Sequence, residues 1–453
     1  MNFPSLFVLD LSYNQFEGLL PHWSSDAAAW VDLRSNSFSG PIPSNYDQLW
    51  PKLEQLYLSD NHLHGSIPPS LCNMSRLGIL LLRSNHLSGE FPREWSMWPS
   101  IKIVDVSDNN LAGNIPSSMG VPSSLYILSL SENNFGGPIP SSIFENCTEL
   151  LSIDLGGNRL TRSMPLWTRS FASSKLYMLR LRSNSLSGQI PWRLCSVQFL
   201  HIIDLGHNNF SGTIPKCLYN LTGLMAYGND TGIGSSSYLQ TTSLTLKGQE
   251  LVYNTTLGLV NSIDFSSNNL EGVIPEGISS LIALGTLNLS RNQLTGNIPS
   301  KIGSLRLLET LDLSHNRLSG QIPQSFSSLT SLSHLNLSDN NLSGRIPSGN
   351  QLQTLDDSSI YDGNPSLCGV PLSTLCPGHS ALAPADPDDD DDNDDNGWFG
   401  ISVSTVLGFI IGFWSVCGIL VVKKSWRYAY FRFFDNIQEK AARILSYKRR
   451  QHW

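Results

Sequence analysis

The residues of this chain with chemistry to offer are ten histidines, seven cysteines, abundant asparagines and a scatter of arginines and aromatic rings. The histidines sit in short variable contexts, such as Asn61-His62-Leu63-His64 and His315-Asn316. No carboxylate pair, metal-ligand spacing or nucleophile elbow accompanies them, and catalysis needs such a convergent set. The expectation is a protein that is not an enzyme, with no cofactor and no metal. Recognition is the chemistry left. Trp30, Arg34, Tyr57, Arg83, Arg180 and Arg182 fall at alternate, outward-facing positions of a short repeat. Flat rings and guanidinium forks are the side chains that dominate contact surfaces.

That repeat positions everything else. Leu308 to Ser331 reads LETLDLSHNRLSGQIPQSFSSLTS, one copy of L-x-x-L-x-L-x-x-N-x-L-x-G-x-I-P, a leucine-rich repeat. Its asparagine recurs at Asn14, Asn36, Asn61, Asn85, Asn109, Asn133, Asn158, Asn184 and Asn208, then at Asn268, Asn292, Asn316 and Asn340. Each coil is expected to contribute a short strand, leucines inward and alternate residues outward. The Asn amide bonds the backbone where the strand turns away. One coil cannot bury its leucines alone, whereas a stack shares a core. The predicted fold is an α/β-type leucine-rich-repeat solenoid, a parallel β-sheet horseshoe with a short 3-10 helical or irregular convex side, plus one transmembrane helix. On this reading the six contact candidates point outward from the strands before an insertion, and the middle outward position after it is Asp264, Asn288, Asp312 and Asn336.

The formal charge of −8 hides opposite ends. Residues 423–453 hold nine Lys/Arg against two Asp/Glu, a net of +7, so the rest sums to −15. Eight of those negatives lie between Asp386 and Asp395. Nothing favours nucleic acid as a partner of the repeats. Trp398 to Val422 is an uncharged run, about 37 Å as a helix and enough to cross a hydrocarbon layer of about 30 Å. Lys423, Lys424 and Arg427 follow it, which puts the C-terminus in the cytoplasm and the repeats outside, a single-pass type I topology at the plasma membrane. Asn-x-Ser/Thr sequons at Asn73, Asn146, Asn209, Asn220, Asn229, Asn254, Asn288, Asn336 and Asn341 agree, although the repeat itself writes N-L-S. Residues 1–20 are already a repeat and not a signal peptide, so the chain reads as the C-terminal part of a longer receptor or a truncated gene product.

The expected organisation is nine repeats in 1–225, an island insertion in 226–257 and four repeats in 258–349. A cap in 350–379, an acidic linker in 380–397, the span in 398–422 and a basic tail in 423–453 follow. Cys195 and Cys217 occupy one edge of successive coils, and Cys368 and Cys376 lie in the cap. Both pairs suit a bridge, buried free thiols being the alternative. Cys72 and Cys147 read as buried singles, and Cys417 lies within the span. In the island, Ser243-Leu244-Thr245-Leu246 alternates like a strand between polar, Gly-rich flanks. Ser404, Gly408 and Gly412 share one face of the span and permit close helix association. Tyr430 to Phe433 has a tyrosine-x-x-hydrophobic pattern, either a sorting signal or an interfacial anchor.

Taken together, the recurring L-S-G-x-I-P half-repeat, the island before four terminal repeats, Lys247-Gly-Gln-Glu-Leu-x-Tyr253, the NPSLCG cap and the tail from Lys423 to Asp435 resemble a plant leucine-rich-repeat receptor-like protein without a kinase domain. The span and tail are most similar to the xylanase-elicitor receptor subgroup. The resemblance implies a receptor for an extracellular peptide, protein or glycan ligand, commonly a microbial elicitor in plant defence. It also implies an adaptor receptor kinase engaged through the membrane helix, a co-receptor kinase, and endocytosis through Tyr430 and Phe433. Competing readings are a developmental receptor, an extracellular enzyme-inhibitor-like binding protein, and a non-signalling decoy.

Overall fold

The computed structural model describes residues 2–165, 174–225, 242–246, 249–253, 257–349 and 351–376. The span 398–422 with Ser404, Gly408, Gly412 and Cys417, the tail with Tyr430 and Phe433, and the sequons at Asn229 and Asn254 lie outside them. Among the described residues no helix is long and apolar enough to cross a membrane. The repeats and cap form one compact unit, Met1–His379.

Within that unit, three-residue strands from Val8–Asp10 to His334–Asn336 stack in chain order into a thirteen-stranded parallel sheet. The central residue of each points into the core, as Val31, Leu56, Leu128, Ile203, Leu287 and Leu311 do, all fully buried. The short 3-10 segments expected outside the strand face are present, and a second sheet that the sequence did not announce joins them. The L-x-G-x segments pair into a second parallel sheet of fourteen strands, from Glu17–Leu19 to Ser366–Cys368, and short 3-10 helices follow most of them. A glycine recurs in that segment because φ is positive there, as at Gly320 (φ +78°), a conformation that costs a side chain.

The framework asparagines act as rungs between coils. Asn316 Nδ2 donates to Leu313 and Ser314 carbonyls of its own coil and to Leu289 of the preceding one, at 3.0–3.1 Å. Its Oδ1 accepts the Leu294 N–H at 3.0 Å. Each such amide satisfies buried backbone groups that leave the strand register, which is why no shorter or apolar residue serves there. The residue before each rung adopts positive φ, whether Asp60, Arg291 or His315.

The thirteen coils read from the sequence are followed by a fourteenth, degenerate one. Asn364 repeats the pattern: it donates to Leu337, Tyr361 and Asp362 carbonyls and accepts from the Leu342 N–H. Gly363 precedes it at φ +73°. Cys368, in the last strand of the second sheet, is bridged to Cys376, and Cys195 is bridged to Cys217. Cys72 and Cys147 are free and buried.

Candidate recognition surface on the thirteen-stranded sheet

Parallel register lines the outward residues into columns. Along the middle column run Asp105, Ser129, Asp154, Arg180, Asp204, Asp264, Asn288, Asp312 and Asn336, each opposite the next. Neighbouring rungs are about 4.8 Å apart, so like charges there repel unless cations interleave. Two do. Arg180 Nη1 reaches Asp154 Oδ1 at 3.1 Å, and its other nitrogens lie 3.7 Å from Asp204 and 3.8 Å from Glu132. Arg182 Nη1 lies 3.0 Å from Asp264 and 3.6 Å from Asp204. Asn288 Nδ2 then donates to Asp264 at 3.2 Å.

This network corrects the sequence reading of Arg180 as an exposed contact residue, whereas Arg182 is half-buried like Arg34 and Arg83. Arg180 is only 3% exposed, and Asp154, Asp204 and Asp264 are equally hidden. The insertion explains why. Thr242–Leu246 and Gln249–Tyr253 pair as an antiparallel hairpin, so the predicted island strand has a partner the sequence did not reveal. Leu244 of the hairpin packs with Tyr177, Met178, Ile202, Leu257 and Val260 in an apolar cluster separate from the main core. Thr242 Oγ1 donates to Asp154 Oδ2 at 2.7 Å. The Tyr177 hydroxyl donates to the carbonyls of Gly258 (3.0 Å) and Val260 (3.3 Å). His201 stacks on Tyr177 with centroids 4.3 Å apart, and burial holds its pKa below the ordinary value.

Four carboxylates (Glu132, Asp154, Asp204, Asp264) face two guanidinium groups, a formal excess of two negatives. Asp204 carries the consequence: burial first, then the Asp264 charge, pushes its pKa up to about 7 against the pull of Arg182 and Arg180. Two glycines make the space. A Cβ at Gly156 would stand 2.4 Å from Arg180 Nη1, and one at Gly206 would stand 2.5 Å from Arg182 Nη1. Most coils have Ser at this position, as in Ser107, Ser131 and Ser290. The departures to Gly-Gly-Asn and Gly-His-Asn were the available signal for the inward-packed arginines, Arg180 buried and Arg182 half-buried.

The other four candidates lie on the coils before the hairpin. Trp30 is 37% exposed and tilts against Tyr57 with centroids 5.7 Å apart. Tyr57 is itself buried, its hydroxyl on Gln55 at 2.7 Å, so it supports Trp30 instead of projecting. Arg34 lies over the Tyr13 ring (5.6 Å) and the Tyr57 ring (5.2 Å) and pairs with Asp32 at 2.9 Å. Arg83 is half-buried on the same outward column as Arg34. The structure therefore brings Trp30, Arg34 and Tyr57 together with Tyr13, and separates them from Arg180 and Arg182. After the hairpin, Asp264 is buried, whereas Asn288 and Asn336 are half-buried.

A coil stack on an asparagine ladder, with a hairpin seated on its strand face, defines a leucine-rich-repeat protein. Leucine rich repeat models match residues 295–342, and separately 5–26, 52–74, 124–146, 199–221, 260–281, 283–305 and 331–360.

Its relatives are plant receptor-like proteins. The chain is 45% identical over 447 residues to Receptor-like protein EIX2 of Solanum lycopersicum, covering 95% of this chain and 41% of that one. It is 44% identical over 317 residues to Receptor-like protein EIX1 of the same plant, covering 65% and 30%. Receptor-like protein 48 of Arabidopsis thaliana is 42% identical over 296 residues, covering 62% and 35%. The chain thus spans less than half the length of these curated relatives. Among solved structures, a TDR receptor superposes with TM-score 0.64 at 28% identity, covering 76% of this chain and 53% of that one. The Arabidopsis receptor kinase HAESA, in complex with the peptide hormone IDA and the co-receptor SERK1, superposes with TM-score 0.59 at 28% identity, covering 82% and 63%.

Proposed function

We propose that this chain is the ligand-recognising and membrane-anchoring part of a plant cell-surface receptor-like protein. Its repeats lie outside the cell, and it signals a microbial elicitor through a partner receptor kinase. The observation that carries the reading is the likeness to Receptor-like protein EIX2, which runs over 95% of the chain, together with the hairpin seated on the strand face. A solenoid offers a long exposed sheet and no catalytic cleft, which suits binding. HAESA, bound to a peptide hormone and a co-receptor, supports an extracellular ligand and a co-receptor kinase as partners.

Within this proposal the ligand lies across the early coils, touching Trp30, Arg34 and Arg83 with Tyr57 as support, and against the outer side of the hairpin. Arg180 and Arg182 hold the hairpin and do not touch the ligand. The four terminal coils face the co-receptor. The uncharged segment 398–422 anchors the chain and meets the adaptor kinase through Ser404, Gly408 and Gly412, and Tyr430 and Phe433 direct endocytosis. The test is a defence readout, the oxidative burst, in plant cells expressing the chain and exposed to fractionated microbial extracts. A fraction that triggers the burst only with the chain, and not with Trp30→Ala/Arg34→Glu at equal surface level, supports the reading. Equal responses with both forms would overturn the assigned face.

A further inference from the structure

Five of the seven sequons among the described residues fall into two structural classes; Asn209 and Asn341, exposed first residues of strands Asn209–Thr213 and Asn341–Arg345 in the second sheet, belong to neither. Asn73, Asn146 and Asn220 each end a short helical segment, Pro69–Asn73, Ser141–Asn146 and Lys216–Asn220. In all three the asparagine and the hydroxyl residue two places on (Ser75, Thr148, Thr222) are exposed, while the residue between (Met74, Cys147, Leu221) is buried. Counted on the asparagine ladder, they belong to the coils of Asn61, Asn133 and Asn208, three coils apart each time. Three coils at about 4.8 Å set them at least about 14 Å apart along one edge, room for separate sugar trees.

Asn288 and Asn336 are the opposite case. They are half-buried in the middle column of the thirteen-stranded sheet, and their hydroxyl residues Ser290 and Ser338 are buried. Asn288 Nδ2, the atom a sugar would take, donates to the buried carboxylate of Asp264. Its Oδ1 accepts from the Ser290 N–H at 3.1 Å and hydroxyl at 2.7 Å. Asn336 Oδ1 accepts the Ser338 N–H at 3.1 Å.

We infer that Asn73, Asn146 and Asn220 carry N-glycans along one edge of the solenoid, and that Asn288 and Asn336, unlike every other sequon among the described residues, stay bare in the folded protein, which leaves the strand face of the terminal coils clear for a protein partner. The inference rests on the cell-surface reading above. The transfer joins the asparagine Nδ2 to C1 of a lipid-pyrophosphate-linked oligosaccharide. The C1–O bond breaks, the pyrophosphate leaves with its electron pair, and the amide nitrogen gives up one proton. At Asn73 the sugar displaces an exposed bond from Nδ2 to Asp47 at 3.0 Å, which water replaces. At Asn288 the sugar would take the nitrogen from a buried carboxylate and stand in the sheet face. Chains so modified do not complete the fold.

The test uses the full chain in plant cells, once as it stands and once behind a cleavable secretory leader, with the surface-exposed population collected. Enzymatic deglycosylation in heavy-oxygen water converts each occupied Asn to labelled Asp, read by peptide mass spectrometry. The expected result is label at Asn73, Asn146 and Asn220 and none at Asn288 or Asn336. In parallel, Asn73→Gln/Asn146→Gln/Asn220→Gln loses three glycans of gel mobility, and Asn288→Gln/Asn336→Gln loses none. Label at Asn288 or Asn336, or its absence from two of the three edge sites in the leader-bearing form, overturns the inference. Label in the leader-bearing form alone leaves the inference standing and overturns the surface reading for the chain as it stands.

Discussion

Thr242 Oγ1 donates to Asp154 Oδ2 at 2.7 Å across 88 residues of sequence, and Arg180 Nη1 holds the other oxygen of that carboxylate at 3.1 Å. One aspartate thus ties the inserted hairpin to the ion pairs of the sheet beneath it. The insertion is a seated part of the strand face, and the buried Arg180 belongs to its seat.

Removing the central cation tests that relationship. Arg180→Met leaves Asp154 buried without its ion-pair partner and Asp204 with Arg182 alone, which costs about 3–5 kcal/mol in the usual range for breaking a buried pair. A chemical-denaturation midpoint on the purified chain reads it. Asp154→Leu added to Arg180→Met recovers part of the loss, and a midpoint unchanged by Arg180→Met would refute the network.

Space at the glycines is a separate prediction. Gly156→Ser and Gly206→Ser install the side chain most coils carry, yet each is expected to destabilise by about 1–3 kcal/mol, because the guanidinium in contact is held by ion pairs, that of Arg180 buried and that of Arg182 half-buried. Ser107→Gly, the reverse change in a coil without a buried arginine, should alter the midpoint little.

The pH dependence follows from Asp204. Its pKa in the fold is raised from 3.8 to about 7, so the folded state binds the proton more tightly than the unfolded chain. Its contribution is therefore fully present below about 4 and is lost as pH rises to about 7. His201 and His207 are shifted down by burial and act oppositely, costing stability as pH falls below the ordinary histidine value. Asp204→Asn should remove the first component alone and raise stability most at pH 7 and above. A difference from the parent that does not change across this range would contradict the assignment.

The ladder predicts a contrast between its ends. Asn364→Ala strips a buried amide that serves three carbonyls and one N–H, and should cost about 1–3 kcal/mol and loosen the cap. Asn14→Ala removes an exposed amide bonded to Leu11 and Ser12 of its own coil, and should cost under about 0.5 kcal/mol. Comparable losses would mean that the rungs are not the inter-coil element.

Most of the fold is legible because the rung asparagine has one place to be: only a side chain with both donor and acceptor serves two coils at once. The fourteenth rung escaped because Asn364 is followed by Pro365-Ser366-Leu367, which moves the leucine one place on from its usual spacing. The second sheet escaped because its strands are three to five residues with a glycine inside, too short for an alternation signal. Arg180 has the same residue type as Arg34, one outward position earlier in the repeat, and its burial depends on which coils the insertion covers, a long-range fact. The Ser-to-Gly departures at Gly156 and Gly206 carried that information, but only as a shape awaiting its arginine.

Hydrogen–deuterium exchange of the hairpin amides in the parent and in Leu244→Asp measures the seating of the insertion most directly. Leu244 is buried against Tyr177, Met178 and Ile202, so the charge should unseat the hairpin. The prediction is slow exchange over 242–246 and 249–253 in the parent, and exchange faster by at least about tenfold in the variant, roughly 1.4 kcal/mol of lost protection, with the repeat strands unchanged. Identical exchange in the two forms would show that the hairpin is not held by the sheet.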